Sequence, residues 1–232
     1  MKKVVVICVL SIITIIVAVF CYLGIIWPNN IFANKYSVQG IDVSNHQKDI
    51  DWNLVAQNEK IKFVFIKASE GNDYQDKYFK SNWDSATQVG LYKGAYHYFT
   101  TESSGKEQAN NFIASVPVEK GCLPPVIDIE ESGLDKEKFK KELSDFISVI
   151  EGTYKQKPIL YVVYPLYEEY IQGDFEECHI WIRDVIKPAK LDDREWILWQ
   201  YCNRGRVDGI NSYADLNVFD GDEDKLKSLL SK

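Results

Sequence analysis

Val126-Ile127-Asp128-Ile129-Glu130 is the stretch on which the reading of this chain turns. An apolar strand seldom carries two carboxylates, because burying either charge without a partner is strongly unfavourable. Strand side chains alternate with a period of two, so Asp128 and Glu130 share one face while Ile127 and Ile129 take the other. Two acids side by side repel each other, which pushes one of the pair toward keeping its proton at neutral pH. General acid catalysis uses such a group. The competing reading is a strand end with two solvated acids.

On both sides of this strand the chain alternates strand-like and helix-like segments, as βα units around a parallel sheet do. Residues 38–43 read as the first strand and 52–58 as a short helix. Residues 62–68 form a second apolar strand, followed by a helix over 74–89 with Phe79, Trp83 and Ala86 on one face. Strand 92–99 and helix 105–116 lead to the acid strand at 125–130. Phe139, Leu143, Phe146 and Ile150 recur at helical spacing and mark 135–154 as the longest helix of the soluble part. After a fifth strand at 158–163 the pattern changes. Segments 179–182, 196–201 and 215–219 are strand-like, with too little chain between them for full helices. The fold class is therefore α/β, an irregular TIM-like barrel of about five βα units followed by three strands with little helix. An open doubly wound sheet is the alternative, but no glycine-rich phosphate loop supports it.

If these strands run parallel, their C-terminal ends meet at one rim, where barrel enzymes keep their active sites. Polar residues cluster at those ends: Asp42 and Ser44 on the first strand, then Lys67 on the second with Glu70 just beyond. Tyr96, His97 and Tyr98 follow on the third, Asp128 and Glu130 on the fourth, and Tyr161 and Tyr164 on the fifth. Trp199 and Gln200 lie on the seventh, and Asp215 opens the last. Singly, each has a plainer reading. His97 reads as a hydrogen-bonded packing residue, Lys67 as a neutraliser of a nearby acid, Trp199 as core, and Asp208 as a turn residue beside Gly209. The convergence of Asp42, Asp128, Glu130 and Asp215 carries the argument, because gathering four carboxylates at one rim is unfavourable without a purpose. Aromatic residues around an acid-lined groove fit a carbohydrate, with a divalent cation held by oxygens as the alternative. No zinc spacing occurs, and the acidic run 220–224 lacks the marks of a calcium loop and reads as a helix start. Neither a metal nor a cofactor is expected.

The N-terminus sets where this chemistry takes place. After Met1-Lys2-Lys3, residues 4–26 are uncharged and strongly apolar, about 23 residues, enough to cross a bilayer. A cleavable signal usually has a shorter apolar region and a nearby small-x-small site. A retained signal anchor is thus expected, with secretion after cleavage as the alternative. Basic residues before the span place the N-terminus inside and the rest outside. The expected division is 1–33, membrane span and short linker, and 34–232, a catalytic domain of about 200 residues. The net charge of −7 argues against nucleic acid or anionic lipid as a partner. Of the five cysteines, Cys122, Cys178 and Cys202 lie outside the span, and no dependence on disulfides is expected.

The chain carries Gly-Ile-Asp-Val-Ser at 40–44, Phe-Ile-Lys-Ala-Ser-Glu-Gly at 65–71 and Gly-Ala-Tyr-His-Tyr-Phe at 94–99. Asp-Ile-Glu at 128–130, Trp-Gln-Tyr at 199–201 and Asp-Leu-Asn-Val-Phe at 215–219 complete the set. In this order the motifs resemble glycoside hydrolase family 25, the N-acetylmuramidase type of lysozyme. The resemblance implies hydrolysis of the β-1,4 bond between N-acetylmuramic acid and N-acetylglucosamine in peptidoglycan glycan strands. It implies Glu130 as general acid, Asp128 tuning it, and Asp42 and Asp215 holding and polarising the site. Lys67, Tyr96, Tyr161, Trp199 and Gln200 are the implied sugar-binding wall. The second half of the reaction has three routes: a carboxylate nucleophile, a carboxylate-activated water, or the substrate's own 2-acetamido oxygen steered by Asp215. The substrate-assisted route is favoured. Many family members have Trp-Ile-Ala where this chain has Trp181-Ile182-Arg183-Asp184, so a cation and an anion are expected at that rim.

A membrane tether implies opening of the producer's own wall, for an envelope-spanning secretion or conjugation machine. Two other functions compete: a non-catalytic cell-wall-binding protein that keeps the fold, and a metal-dependent peptidoglycan hydrolase. The first requires a missing acid, and the second predicts sensitivity to a chelator.

Overall fold

The computed structural model describes residues 2–133 and 135–232. Met1, at the head of the expected 1–33 segment, and Leu134 lie outside them. A helix, α1 (Lys2–Tyr22), precedes the barrel and buries none of its residues. It stops short of Ile26, the expected end of the span, because the chain turns at Gly24, whose φ is +66°. A one-turn helix follows, α2 (Asn30–Ala33).

The barrel then begins with β1 (Val38–Val43), α3 (Trp52–Val55), β2 (Ile61–Glu70) and a two-residue strand β3 (Tyr74–Gln75). Next come α4 (Phe79–Gln88), β4 (Tyr92–Tyr98), α5 (Gly105–Ser115), β5 (Val126–Ile129), α6 (Lys136–Tyr154) and β6 (Ile159–Val162). After the short α7 (Tyr164–Leu166) and a π-turn over Tyr167–Ile171 come β7 (His179–Arg183), β8 (Leu198–Gly205), β9 (Ala214–Phe219) and α8 (Glu223–Ser228). Strands β1, β2, β4, β5, β6, β7, β8 and β9 close on one another, since β1 pairs with both β2 and β9. The irregular α/β barrel read from the sequence is the fold, with full helices confined to its first half.

Two expectations change. The helix expected over 74–89 is shorter, because β3 pairs antiparallel with Ser69–Glu70 before α4 begins. Asp76 enforces the break: one carboxylate oxygen accepts from Tyr78 N and the other from Asn45 N, both at 2.8 Å. The last strand is antiparallel to both its neighbours, β8 and β1. The loop of residues 206–213 is too short for a parallel crossover, so the chain turns back as a hairpin.

Alternation along each strand separates two cores. Val38, Phe63, Phe65, Val126, Ile159, Trp181, Leu198 and Phe219 fill the barrel interior, while the opposite faces of the strands pack under the helices. Gly40 and Gly94 make room inside: a Cβ on either would stand 2.4 Å and 2.3 Å from the rings of Phe63 and Phe65. The stretch expected as a linker is part of this packing. Asn29 is wholly buried and donates to Asp184 O and Tyr201 O, Trp27 donates to Val185 O at 3.0 Å, and Ala33 enters the outer core.

Candidate active site

The C-terminal ends of the parallel strands surround a groove of about 220 Å³, walled by Asp42, Lys67, Tyr96, Asp128, Glu130, Tyr161, Gln200 and Asp215 among others. The polar side chains that the strands contribute come from their inward faces. On β5 the period of two carries Val126 inward below Asp128 and Glu130, with Ile127 and Ile129 under the helices. On β9 the antiparallel direction matters. Asp215 is near the beginning of that strand, and only a strand running down from the rim places its first residues beside the acids of β1 and β5.

A bulge tunes β2. Lys67 pairs in register with Tyr96 but Ser69, not Ala68, pairs with His97. The extra residue brings Glu70 back to the groove side, where it holds Lys67 Nζ at 2.5 Å. Lys67 also lies 5.0 Å from the centre of the Tyr98 ring.

Asp42 receives two amide donors on one oxygen, Asn217 Nδ2 at 2.7 Å and Gln200 Nε2 at 3.4 Å. The orientation of Asn217 is dictated by Trp181, whose indole N–H can only donate and reaches Asn217 Oδ1 at 3.1 Å. Gln200 Oε1 in turn faces Tyr161 Oη at 2.9 Å, and the same hydroxyl lies 3.2 Å from Glu130 Oε1. Burial pushes the Asp42 carboxyl up to about 6, although both amide contacts favour its charged form. Burial raises Asp128 and Asp215 well above the carboxylate range, with the Glu130 charge adding at Asp128 and the Asp42 charge at Asp215. Arg183 opposes the rise at Asp215. One oxygen of Asp128, Oδ1, is buried without a hydrogen bond, and Glu130 is exposed at the mouth.

Eight of the nine residues singled out in the sequence line this groove. Trp199 does not. It faces outward from β8, is fully buried, donates to Asp184 O at 2.8 Å and packs against Tyr36, Trp196 and Tyr201. The period of two explains this, since its neighbours Leu198 and Gln200 point inward and Trp199 must point out. The aromatic residue at that height of the wall is Trp181 on β7. Asn217 was also passed over, although it stands two residues from Asp215 and therefore on the same face. His97 is the packing residue it resembled: Gln108 Oε1 accepts from Nε2 at 3.1 Å, leaving Nδ1 as acceptor for Ser69 Oγ at 2.8 Å. At the 183–184 rim only the cation faces the site. Asp184 turns away to accept from Ile186 N and Lys187 N.

The barrel and its acid-walled rim define a class of sugar-cleaving enzymes, and the family assignment is direct. Residues 41–210 match the model of glycosyl hydrolases family 25, and the chain belongs to that family. A family 25 glycosyl hydrolase from Bacillus anthracis is 42% identical, with a TM-score of 0.79 over 84% of this chain and 94% of that one. A bacterial lysozyme from Streptomyces coelicolor is 30% identical, with a TM-score of 0.76 over 83% of this chain and 96% of its own. Lysozyme M1 of Streptomyces globisporus is 29% identical over 216 residues, 85% of this chain and 72% of that protein. The chain is thus a glycoside hydrolase of the muramidase kind, acting on peptidoglycan.

Proposed function

We propose that the protein cleaves the β-1,4 bond between N-acetylmuramic acid and N-acetylglucosamine, with Glu130 as general acid. The observation that carries this reading is the hydroxyl of Tyr161. It has one proton and two carbonyl-type oxygens in reach, Gln200 Oε1 at 2.9 Å and Glu130 Oε1 at 3.2 Å. Shared between them, that proton holds the Glu130 carboxyl at the mouth of the groove, where a sugar oxygen can meet it. Glu130 is exposed there, so a proton given to a leaving group is replaced from water after each turnover.

Glu130 gives its proton to O4 of the leaving glucosamine as the bond from that oxygen to C1 of muramic acid breaks. The substrate's acetamido oxygen forms the new bond to C1. Water then opens that ring, giving up a proton to the Glu130 carboxylate, and leaves a muramic acid reducing end with its configuration retained. Asp128, held neutral by burial, spares Glu130 a second negative neighbour. Asp42 and Asp215 present one shared negative charge to the positive sugar ring. Lys67, Tyr96, Tyr161 and Gln200 hold the sugars. Mass spectrometry of fragments released from purified peptidoglycan tests the bond: a new reducing end at muramic acid is expected, and one at glucosamine rules the proposal out.

The location belongs to the same proposal. Helix α1 is long and apolar enough to cross a bilayer. It is read as a single-pass anchor with residues 34–232 outside the cell membrane, rather than as a signal removed on secretion. A tether confines cutting to the producer's nearby wall, at the service of an envelope-spanning secretion or conjugation machine. A chain without α1 should keep its activity on purified wall and lose that cellular role. Equal performance in the cell would refute the tether.

A further inference from the structure

The apolar helix is fastened to the same rim of the barrel that carries the groove. Arg204 Nη1 donates to Tyr22 O at 2.8 Å and Arg206 Nη2 to Leu23 O at 3.4 Å, so two guanidinium groups close the carbonyl end of α1. Gly24 runs so near the β8 backbone that a Cβ there would stand 2.1 Å from Arg204 O. Trp27 and Asn29 extend the attachment to the end of β7 and the loop after it. Tyr213 links the two regions directly. Its hydroxyl donates to Tyr22 O at 3.3 Å, and its carbonyl accepts from Nε2 of Gln47, a residue of the groove wall, at 2.8 Å. A single residue therefore separates the end of α1 from the groove.

Exposed apolar side chains gather at the same place. Ile25 and Ile26 of the fastened segment are exposed, Ile25 to 61%. The most exposed large apolar side chain of the barrel, Ile186 at 84%, follows Val185, whose carbonyl holds Trp27. Among the described residues, the other exposed large apolar side chains beyond α1 and its exit are only Ile31, Phe32, Leu54, Tyr74 and Val118. A patch of this kind beside a helix about 31 Å long is continuous with the surface that helix would bury in lipid. Tyr22, Trp27, Arg204 and Arg206 around it are the residue types that settle at a headgroup layer.

We propose that residues 23–27 and the Ile186 loop form a bilayer-seating surface that holds the groove at the lipid headgroups. The substrate is then glycan lying against the membrane, rather than wall at the far reach of a flexible leash. The inference rests on the muramidase and membrane-anchor readings above, and one experiment separates all three.

The full chain, with Cys8→Ser and Cys21→Ser, is placed in phospholipid vesicles with a nitroxide on Ile186→Cys or, as control, on Val118→Cys at the opposite end of the barrel. The label at 186 is expected to be shielded from a water-soluble nickel chelate and open to oxygen, and the label at 118 the reverse. The pair Ile25→Asp and Ile186→Asp, both at exposed positions, should leave cleavage of detached glycan unchanged. The same pair should slow cleavage of lipid-linked glycan in the same vesicles about tenfold, as local concentration at the membrane falls. Equal chelate access at 186 and 118, with α1 retained, overturns the seating surface. A mature chain lacking α1 overturns the anchor instead, and failure to cut either glycan overturns the muramidase reading.

Discussion

Asp42 and Asp215 stand directly opposite each other across β1 and β9, and burial and the Asp42 charge together keep the proton on Asp215. Directly opposed residues of an antiparallel pair have Cβ atoms about 5 Å apart. Two bare carboxylates at that distance repel strongly, and one proton between them relieves it. The pair therefore carries one negative charge, held in place by Asn217 and Gln200 on the Asp42 side.

That arrangement is strained at neutral pH, and stability should report it. A carboxyl whose folded pKa lies above its unfolded one binds its proton more tightly when folded, so folding is favoured less as pH rises between the two values. For Asp42 that window runs from 3.8 to about 6. Asp42→Asn removes the charge and should raise stability at pH 8 by about 1–2 kcal/mol, allowing for partial solvent screening. By pH 4 the gain should vanish. Urea unfolding at the two pH values measures it, and activity should fall sharply in the same variant.

Glu130→Gln keeps the shape of the side chain and its contact with Tyr161 but removes the transferable proton. The turnover number should drop by at least about 100-fold with KM little changed. Near-normal turnover on purified peptidoglycan would take the acid's role away from Glu130.

Trp181 and Trp199 should separate by activity. Trp181→Phe keeps one aromatic ring but loses indole volume from the barrel interior and the N–H that orients Asn217, so besides a loss of stability, kcat/KM per folded molecule should fall about tenfold, the kinetic equivalent of about 1.4 kcal/mol. Trp199→Phe loses its bond to Asp184 O and part of an aromatic cluster, and should lower stability by about 1–3 kcal/mol. Activity per folded molecule should stay unchanged. Paired thermal melts and steady-state kinetics distinguish the two.

A chelator should make no difference. The amide groups that face Asp42 present N–H donors to it, while their oxygens are turned to Trp181 and Tyr161. That set suits an anion and repels a cation. Activity within error of the untreated enzyme after EDTA is the expected result, and restoration by a divalent ion after its loss would contradict it.

Periodicity was enough to read the strand faces locally. Two acids two residues apart on an apolar strand must share a face, which placed Asp128 and Glu130 before any coordinates, and the same rule misses Trp199 only when its neighbours are not compared. The alternation of strands and helices and the change of pattern after 163 were legible for the same reason, because burial imposes a repeat on each element. What the chain order alone left open was direction and closure. The hairpin that reverses β9 brings Asp215 to the rim, the bulge in β2 swings Glu70 onto Lys67, and the donor-only indole of Trp181 turns Asn217 toward Asp42. Each depends on which groups meet across the barrel, and hydrogen-bond direction and charge repulsion exist only between groups that have met.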